Sequence, residues 1–349
     1  MQFASDNIAP VPRQVLDAIE RANHGAMASY GGEPLMREVE ARMRAVFEAP
    51  DAAVYLVATG TAANSLSLAC LVQPWQTVYC HRHAHIEEDE CAAPEFYMGG
   101  AKLTLLDGDH AKIDPAGLEQ SLRSAAGAGV HNVQKGALSL TNATENGTVY
   151  TVAEVERLCA IARAAGIPVH MDGARFANAL AATNASPAEM TWKAGVDILS
   201  FGGTKNGLLG VEAVVIFDPA KAWEFELRRK RGGHLFSKHR YLSAQMLAYL
   251  DDDLWLRSAR HANAMATRLS QGIAALPGAS LVHPTEANAV FAAWPREGHR
   301  RAQEAGAYYY LWPGHQSLDG PGEDPVAARL VCSWATTEEE VDRFLSIIR

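Results

Sequence analysis

Ile198-Leu199-Ser200-Phe201-Gly202-Gly203-Thr204-Lys205-Asn206-Gly207 decides how this chain folds. Ile198 to Phe201 reads as a short buried strand, and the glycine pair ends it. A lysine then sits on a turn made almost wholly of small residues. A lysine on a glycine-rich turn suggests a phosphate loop, but the GxxxxGK[ST] order is absent, because Thr204 precedes Lys205 and Asn206 follows it. A lysine that joins covalently to a carbonyl-bearing cofactor fits better. Such a lysine needs partial burial to lower its amine pKa and open space above it for a ring.

Two further strands, working outward, end in the same manner. Ile167 to Met171 is apolar and ends at Asp172-Gly173-Ala174-Arg175, while Ala53 to Ala58 is broken by Gly60-Thr61-Ala62-Ala63-Asn64 before a helix from Ser65 to Val72. In open parallel sheets, ligands sit beyond the carboxyl ends of the strands, so the three clusters are expected on one edge. Asp172 can cap the next helix, or it can pair with a protonated ring nitrogen. Pyridoxal phosphate (PLP) needs such a partner, because its protonated ring is the electron sink for a carbanion. Arg175 offers a planar fork for a carboxylate, or an ordinary ion pair with Asp or Glu. Gly60 and Thr61 present backbone N–H groups and a hydroxyl at a helix start, which suits a phosphate but also a plain turn with an N-cap threonine. His81, His83 and His85 alternate before Glu87-Glu88-Asp89-Glu90. A zinc site there lacks a further ligand pair at metal spacing, so no metal is expected. His85 is read as stacking on a cofactor ring.

Strands at Gln76–Cys80, Lys102–Leu106, Gly136–Thr141 and Glu212–Phe217 alternate with helices such as Val152–Ala165, the pattern of crossover units in a mostly parallel α/β sheet. Helices at Pro12–Ala22 and Pro34–Phe47 precede them. From about Leu235 the texture changes to long helices, Tyr241–Asp251 and Leu254–Leu276, then to shorter strands at Ser280–His283, Ala289–Trp294 and Arg329–Cys332. The expected division is an arm and helix over 1–24, a large domain over 25–235 and a smaller α+β domain over 236–349. The 349 residues are 48% hydrophobic with net charge -9, from 31 basic against 40 acidic residues. That balance argues against nucleic acid or an anionic membrane as partner. Ala52 to His81 carries no Asp, Glu, Lys or Arg, but its Thr, Asn, Gln and Pro content suits a soluble core better than a bilayer. Five cysteines without CxxC spacing, and no apolar leader, point to the reducing cytoplasm.

With these residues in hand, the chain resembles the L-threonine aldolases, the low-specificity and phenylserine-cleaving kind, which share the aspartate-aminotransferase-like fold of PLP enzymes (fold type I). The resemblance runs nearly end to end. It rests on Phe3-Ala4-Ser5-Asp6-Asn7, Gly60 to Ser65, Ala84-His85-Ile86-Glu87-Glu88-Asp89-Glu90-Cys91, Ala143-Thr144-Glu145-Asn146-Gly147, His170 to Phe176, Thr191 to Asp197, Ser200 to Gly207 and Arg329 to Trp334. It implies a large domain with a seven-stranded, mostly parallel sheet. It implies that Lys205 holds PLP, Asp172 faces the ring nitrogen, Gly60 and Thr61 bind the phosphate and His85 stacks on the ring. Ser5, Arg175 and Arg329 match positions that hold the substrate carboxylate, and His85 and Asp89 lie near the β-hydroxyl. Lys230 and Lys238 fall where a neighbouring subunit approaches the cofactor site. Tyr30-Gly31-Gly32-Glu33 and the loop from Pro313 to Pro325 depart from the usual pattern, and Tyr30 is placed in the substrate pocket. The implied reaction is cleavage of a β-hydroxy-α-amino acid to glycine and an aldehyde by a homotetramer built from dimers. β-Elimination, racemisation or transamination on the same scaffold stand as alternatives. A metal-dependent hydrolase using His81, His83, His85 and Asp172, and a non-catalytic binding protein, are rivals from other classes.

Overall fold

The computed structural model describes residues 1–125, 127 and 129–349. The large sheet contains β1 (Ala53–Val57), β2 (Gln76–His81), β3 (Lys102–Leu106), β4 (Gln134–Thr141), β5 (Val169–Gly173), β6 (Ile198–Phe201) and β7 (Glu212–Ile216). Their order is β1-β7-β6-β5-β4-β2-β3. Neighbours from β3 to β6 pair in parallel, and β7 runs antiparallel to both β6 and β1. β1 therefore points the same way as β6, and the carboxyl ends of β1, β2, β4, β5 and β6 share one edge. Every residue of β5, β6 and β7 is buried, as expected for a sheet covered on both faces.

Two boundaries differ from the sequence reading in ways that matter for the site. β5 starts two residues late, at Val169, and continues through Gly173, so Asp172 lies inside the ladder, opposite Thr141 and Ser200. A carboxylate in a ladder is held more rigidly than one on a loop. Gly173 permits this, because a Cβ there would come within 2.7 Å of Ser200 O. The second difference is at Gly60, which begins the helix Gly60–Leu71 instead of breaking the chain before it. Thr59, not Thr61, is the cap: its Oγ1 accepts from Ala62 N at 3.1 Å, a bond of about 1 kcal/mol. The hydroxyl of Thr61 is thereby left out of capping.

The smaller sheet is antiparallel, with β8 (Ser280–Leu281), β9 (Ala289–Pro295), β10 (Tyr310–Leu311) and β11 (Pro325–Val331) in the order β10-β11-β9-β8. β11 is longer than expected because all of it pairs with β9, from Pro325 opposite Pro295 to Val331 opposite Ala289. Its core takes in Val290, Trp294, Leu330 and Phe344, and also Phe3 from the amino-terminal arm. Phe3 N donates to Tyr308 O, and Phe3 O accepts from Val331 N, both at 2.8 Å. The arm thus packs with the small sheet and delivers Ser5 and Asp6 to the junction. The helix Arg240–Leu250 packs against Arg13–Ala22 and Pro34–Val46, and Leu242 to Ala259 contribute to the large core. Met265, Ala266, Leu269 and Ile273 of the helix Leu254–Ala274 pack instead into the core of the small sheet. Among the described residues no helix is long and apolar enough to cross a membrane.

Candidate active site

β2, β4, β5 and β6 each lead into a part of the site at the shared edge. β6 leads into the turn Thr204–Asn206 that bears Lys205. The turn is fixed from several sides. A Cβ on Gly202 would come within 2.1 Å of Ala174 O, so only glycine lets the chain pass there. Tyr249 Oη donates to Gly202 O at 3.1 Å, and Asn206 Nδ2 donates to Tyr249 Oη (2.7 Å) and Trp255 O (2.8 Å). Lys205 lines a cavity of about 160 Å³. The hydrogen bonds among the described residues leave its Nζ free.

A connected set of polar groups runs from β5 to the helix His85–Glu88. Asp172 Oδ1 accepts from Ala174 N and its Oδ2 from Asn64 Nδ2, both at 2.9 Å. Asn64 Nδ2 also donates to Glu90 Oε1 at 2.8 Å, and His85 Nδ1 donates to the same oxygen at 2.8 Å. Burial alone would raise the Asp172 carboxyl, yet its pKa is held below the ordinary carboxylate value by His85, Lys205 and the Ala174 N–H. Asp172 is therefore held as an anion, the form that a protonated ring nitrogen would require of a partner. The His85 pKa is raised, first by the bond to Glu90 and then by Asp172 and Glu145, against its burial. Behind Asp172, His170 is clamped between the Ser139 and Ser200 hydroxyls, each 3.0 Å away, and burial lowers its pKa to about 4.

The arm and the small sheet close the cavity. Ser5, Asp89, Glu145, Arg175, Asn288 and Arg329 line it together with His85 and Lys205. Arg175 makes the ion pair that was its alternative reading: Nε and Nη2 bond Asp6 Oδ2 (2.7 Å) and Oδ1 (3.0 Å) as a fork. Its bidentate edge is thus engaged, with Nη1 left over. Arg329 is the freer guanidinium. Among the described residues its one hydrogen bond is a 3.4 Å contact from Nη2 to Ala4 O, and its Nε is buried without a partner. Tyr310 and Trp312 flank it, with ring centroids 5.6 and 5.5 Å from Cζ. A buried N–H without a partner costs about 1–3 kcal/mol, so the site gains from an anion placed there.

These residues fit PLP: an amine with no hydrogen bond, an ionised carboxylate on a rigid strand, and an imidazole oriented by a carboxylate. Gly60 and Thr61 stand on the same edge, at a helix start whose own cap is Thr59, but neither lines the cavity. Tyr30, Lys230 and Lys238 do not line it either. Tyr30 is exposed, with Lys230 Nζ 4.7 Å above its ring, and Lys238 is exposed nearby. The three alternating histidines take separate partners: His81 Nε2 donates to Gly108 O (3.1 Å), His83 Nδ1 bonds Glu88 (2.7 Å) and His85 bonds Glu90. Reasoning from sequence gave no role to Asn64, Glu90, Asp6, Glu145 or Asn288. Glu145, on the loop after β4, was within reach of the strand-end rule. Burial raises its carboxyl, while Lys205, Arg175 and His85 oppose the rise.

The family model of beta-eliminating lyases matches residues 2–295. The low specificity L-threonine aldolase of Pseudomonas aeruginosa is 40% identical over 348 residues, covering 100% of this chain and 97% of that protein. The enzyme of the same name from another Pseudomonas is 39% identical with the same coverage. The threonine aldolase of Leishmania major superposes with a TM-score of 0.91 at 27% identity, over 99% of this chain and 98% of that one. The architecture is that of the PLP-dependent enzymes of fold type I. Matched over most of its length by that family model and end to end by these relatives, the chain belongs to the beta-eliminating lyase family, alongside the low-specificity L-threonine aldolases.

Proposed function

We propose that this chain cleaves threonine-like β-hydroxy-α-amino acids (threonine, allo-threonine, phenylserine) to glycine and an aldehyde, with PLP as cofactor. The arrangement that carries this reading is the single cavity bounded by Lys205, His85, Asp89 and the unpaired edge of Arg329. Arg329 takes the substrate carboxylate, with the Ser5 hydroxyl beside it and Arg175 contributing charge and its remaining Nη1. Fixing that carboxylate decides which bond at Cα is offered for cleavage. Lys205 would hold PLP, with Asp172 as partner of its ring nitrogen and His85 as its stacking residue, and the cofactor would supply a sink for the electrons left at Cα. His85 takes the β-hydroxyl proton at Nε2, because its Nδ1–H is committed to Glu90, and that carboxylate steadies the cation that forms. Asp89 stands on the same wall. The amine of Lys205, unencumbered by hydrogen bonds, is placed to move a proton at Cα before glycine leaves.

Purified protein incubated with L-threonine or L-phenylserine is expected to release glycine and the matching aldehyde only when PLP is present. The family's name favours a second reading, β-elimination, which releases ammonia and a keto acid. Those products without glycine would replace the aldol reading. Arg329→Ala is expected to raise KM roughly 10- to 100-fold with a smaller change in kcat, since a charge-assisted bond contributes about 1.5–3 kcal/mol; an unchanged KM would move carboxylate binding to Arg175. A pH test follows from Glu90. His85 works as a base only when neutral, so kcat/KM should rise with pH through its raised pKa. Glu90→Gln removes the anion that raises it, so the acidic limb should move to lower pH while the plateau falls. A limb that stays in place would assign the base elsewhere, to Asp89 or water.

We place the active form in a homo-oligomer, tetrameric as a pair of dimers, with Lys230 and Lys238 reaching a neighbour's phosphate site. Exposed Met27, Tyr30, Leu209 and Phe236 support that placement. The five cysteines, all free, support a cytoplasmic setting.

A further inference from the structure

Ser5 and Asn7 of the amino-terminal arm line the cavity, while Asp6 between them does not and is buried. The Asp6 carboxylate accepts three hydrogen bonds, none of them from the arm. Arg175, just after β5, donates Nε to Oδ2 at 2.7 Å and Nη2 to Oδ1 at 3.0 Å. Asn288, just before β9, donates Nδ2 to Oδ2 at 3.0 Å. A plain tie between the arm and the two sheets would not need this ion pair. Phe3 already anchors the arm through the small sheet's core and two backbone bonds. Asn288 is held independently, because its Nδ2 donates to Cys332 O at 2.8 Å and its O accepts from Cys332 N at 2.9 Å. Burying two charges to add one more tie costs more than an apolar contact would.

We propose that Asp6 is a positioning residue for the substrate carboxylate: without touching substrate, it holds the Arg175 guanidinium in one orientation, with Nη1 as the edge offered to the cavity. The proposal rests on the reading that this cavity takes an α-amino acid beside PLP held on Lys205. A bidentate fork fixes the plane of a guanidinium as well as its distance. With Nε and Nη2 committed to Asp6, only Nη1 makes no hydrogen bond among the described residues, and Arg175 lines the cavity. The two arginines then do different work. Asp6 offsets the charge of Arg175, which contributes a fixed direction, while Arg329 contributes the uncompensated charge. Recognition of the carboxylate therefore depends on a residue behind the cavity wall.

The test separates aim from packing by isolating the carboxylate. PLP-loaded protein is titrated with glycine and with glycinamide, which lacks the carboxylate, and the ratio of the two Kd values is compared between variants. Asp6→Asn should shrink the advantage of glycine about tenfold, the loss of one well-aimed charge-assisted bond, with the Kd of glycinamide within about twofold of wild type. A merely structural role would weaken both ligands alike and leave the ratio unchanged. Asp6→Glu keeps Arg175 paired, so it serves even if the Asn variant fails to fold, but its extra methylene displaces the fork. It should also lose glycine's advantage, by about threefold or more, because hydrogen bonds weaken steeply when misaligned. A wild-type ratio in either variant overturns the proposal. Protein supplied with PLP that binds neither ligand sinks the reading on which the proposal rests. Glycine binding with an unchanged ratio sinks the role of Asp6 alone.

Discussion

Lys205→Ala is expected to reduce glycine release from L-threonine by on the order of 10⁴-fold or more, the scale seen when a covalent catalytic group is removed. The loss should be chemical and not structural. Lys205 Nζ holds no hydrogen bond in the described structure, while the turn around it is tied by Glu212 to Gly203 N, by Tyr249 to Gly202 O, and by Asn206 to Tyr249 and Trp255 O. None of these bonds involves the lysine side chain. The variant should therefore keep the wild-type circular dichroism spectrum and melt within a few degrees of it, as expected when no buried contact is lost. Hydride reduction of wild-type protein with PLP should fix the cofactor to the peptide containing residue 205, and the variant should give no such peptide. Glycine release by the variant at the wild-type rate would remove Lys205 from the mechanism. A label at another lysine would relocate it.

Lys205 was legible in the sequence for a physical reason that also explains what was missed. A short strand, two glycines and a lysine are local, and the carboxyl-edge rule turns local strand ends into a shared place. Asp172, Arg175 and Gly60 come from the same rule, His85 from the run of alternating histidines, and Ser5, Asp89 and Arg329 from family resemblance. The structure brings six of these eight into one cavity wall and links Asp172 to it through Asn64 and Glu90, while Gly60 stays outside. Asn64 and Glu90 escaped because their meaning lies in contacts across 26 and 108 positions of the chain. Nothing near Asn64 in sequence tells that its amide bridges two carboxylates. Asp6 escaped likewise, since the arm that carries it is anchored by Phe3 in the small sheet's core before it reaches Arg175. That contact changes the expected division of labour. Two arginines looked equivalent as carboxylate forks, but one already has a carboxylate and the other has a bare Nε.

Asp172→Asn is expected to lower kcat by roughly 10²- to 10³-fold, the scale of removing a preorganised charge from a reacting centre, while PLP still binds. The carboxylate is held ionised despite burial by His85, Lys205 and Ala174 N. An amide of the same shape carries no charge and cannot hold the ring nitrogen protonated, so the sink for the Cα electrons weakens. The substitution also has a structural cost that can be separated from the chemical one. Both oxygens of Asp172 already accept hydrogen bonds, from Asn64 Nδ2 and Ala174 N. The amide has a single oxygen, so one of these donors then faces an NH₂ group, a loss of about 1–3 kcal/mol in a buried site. A lower melting temperature alone is therefore not the signature. The decisive comparison is Asp172→Asn against Asn64→Ala, which also strips a partner from this network but leaves the Asp172 charge. If the charge matters, Asn64→Ala should retain most of kcat, and Asp172→Asn should not. Equal losses in the two variants would mean that Asp172 serves the packing of the edge and that the ring nitrogen finds its partner elsewhere.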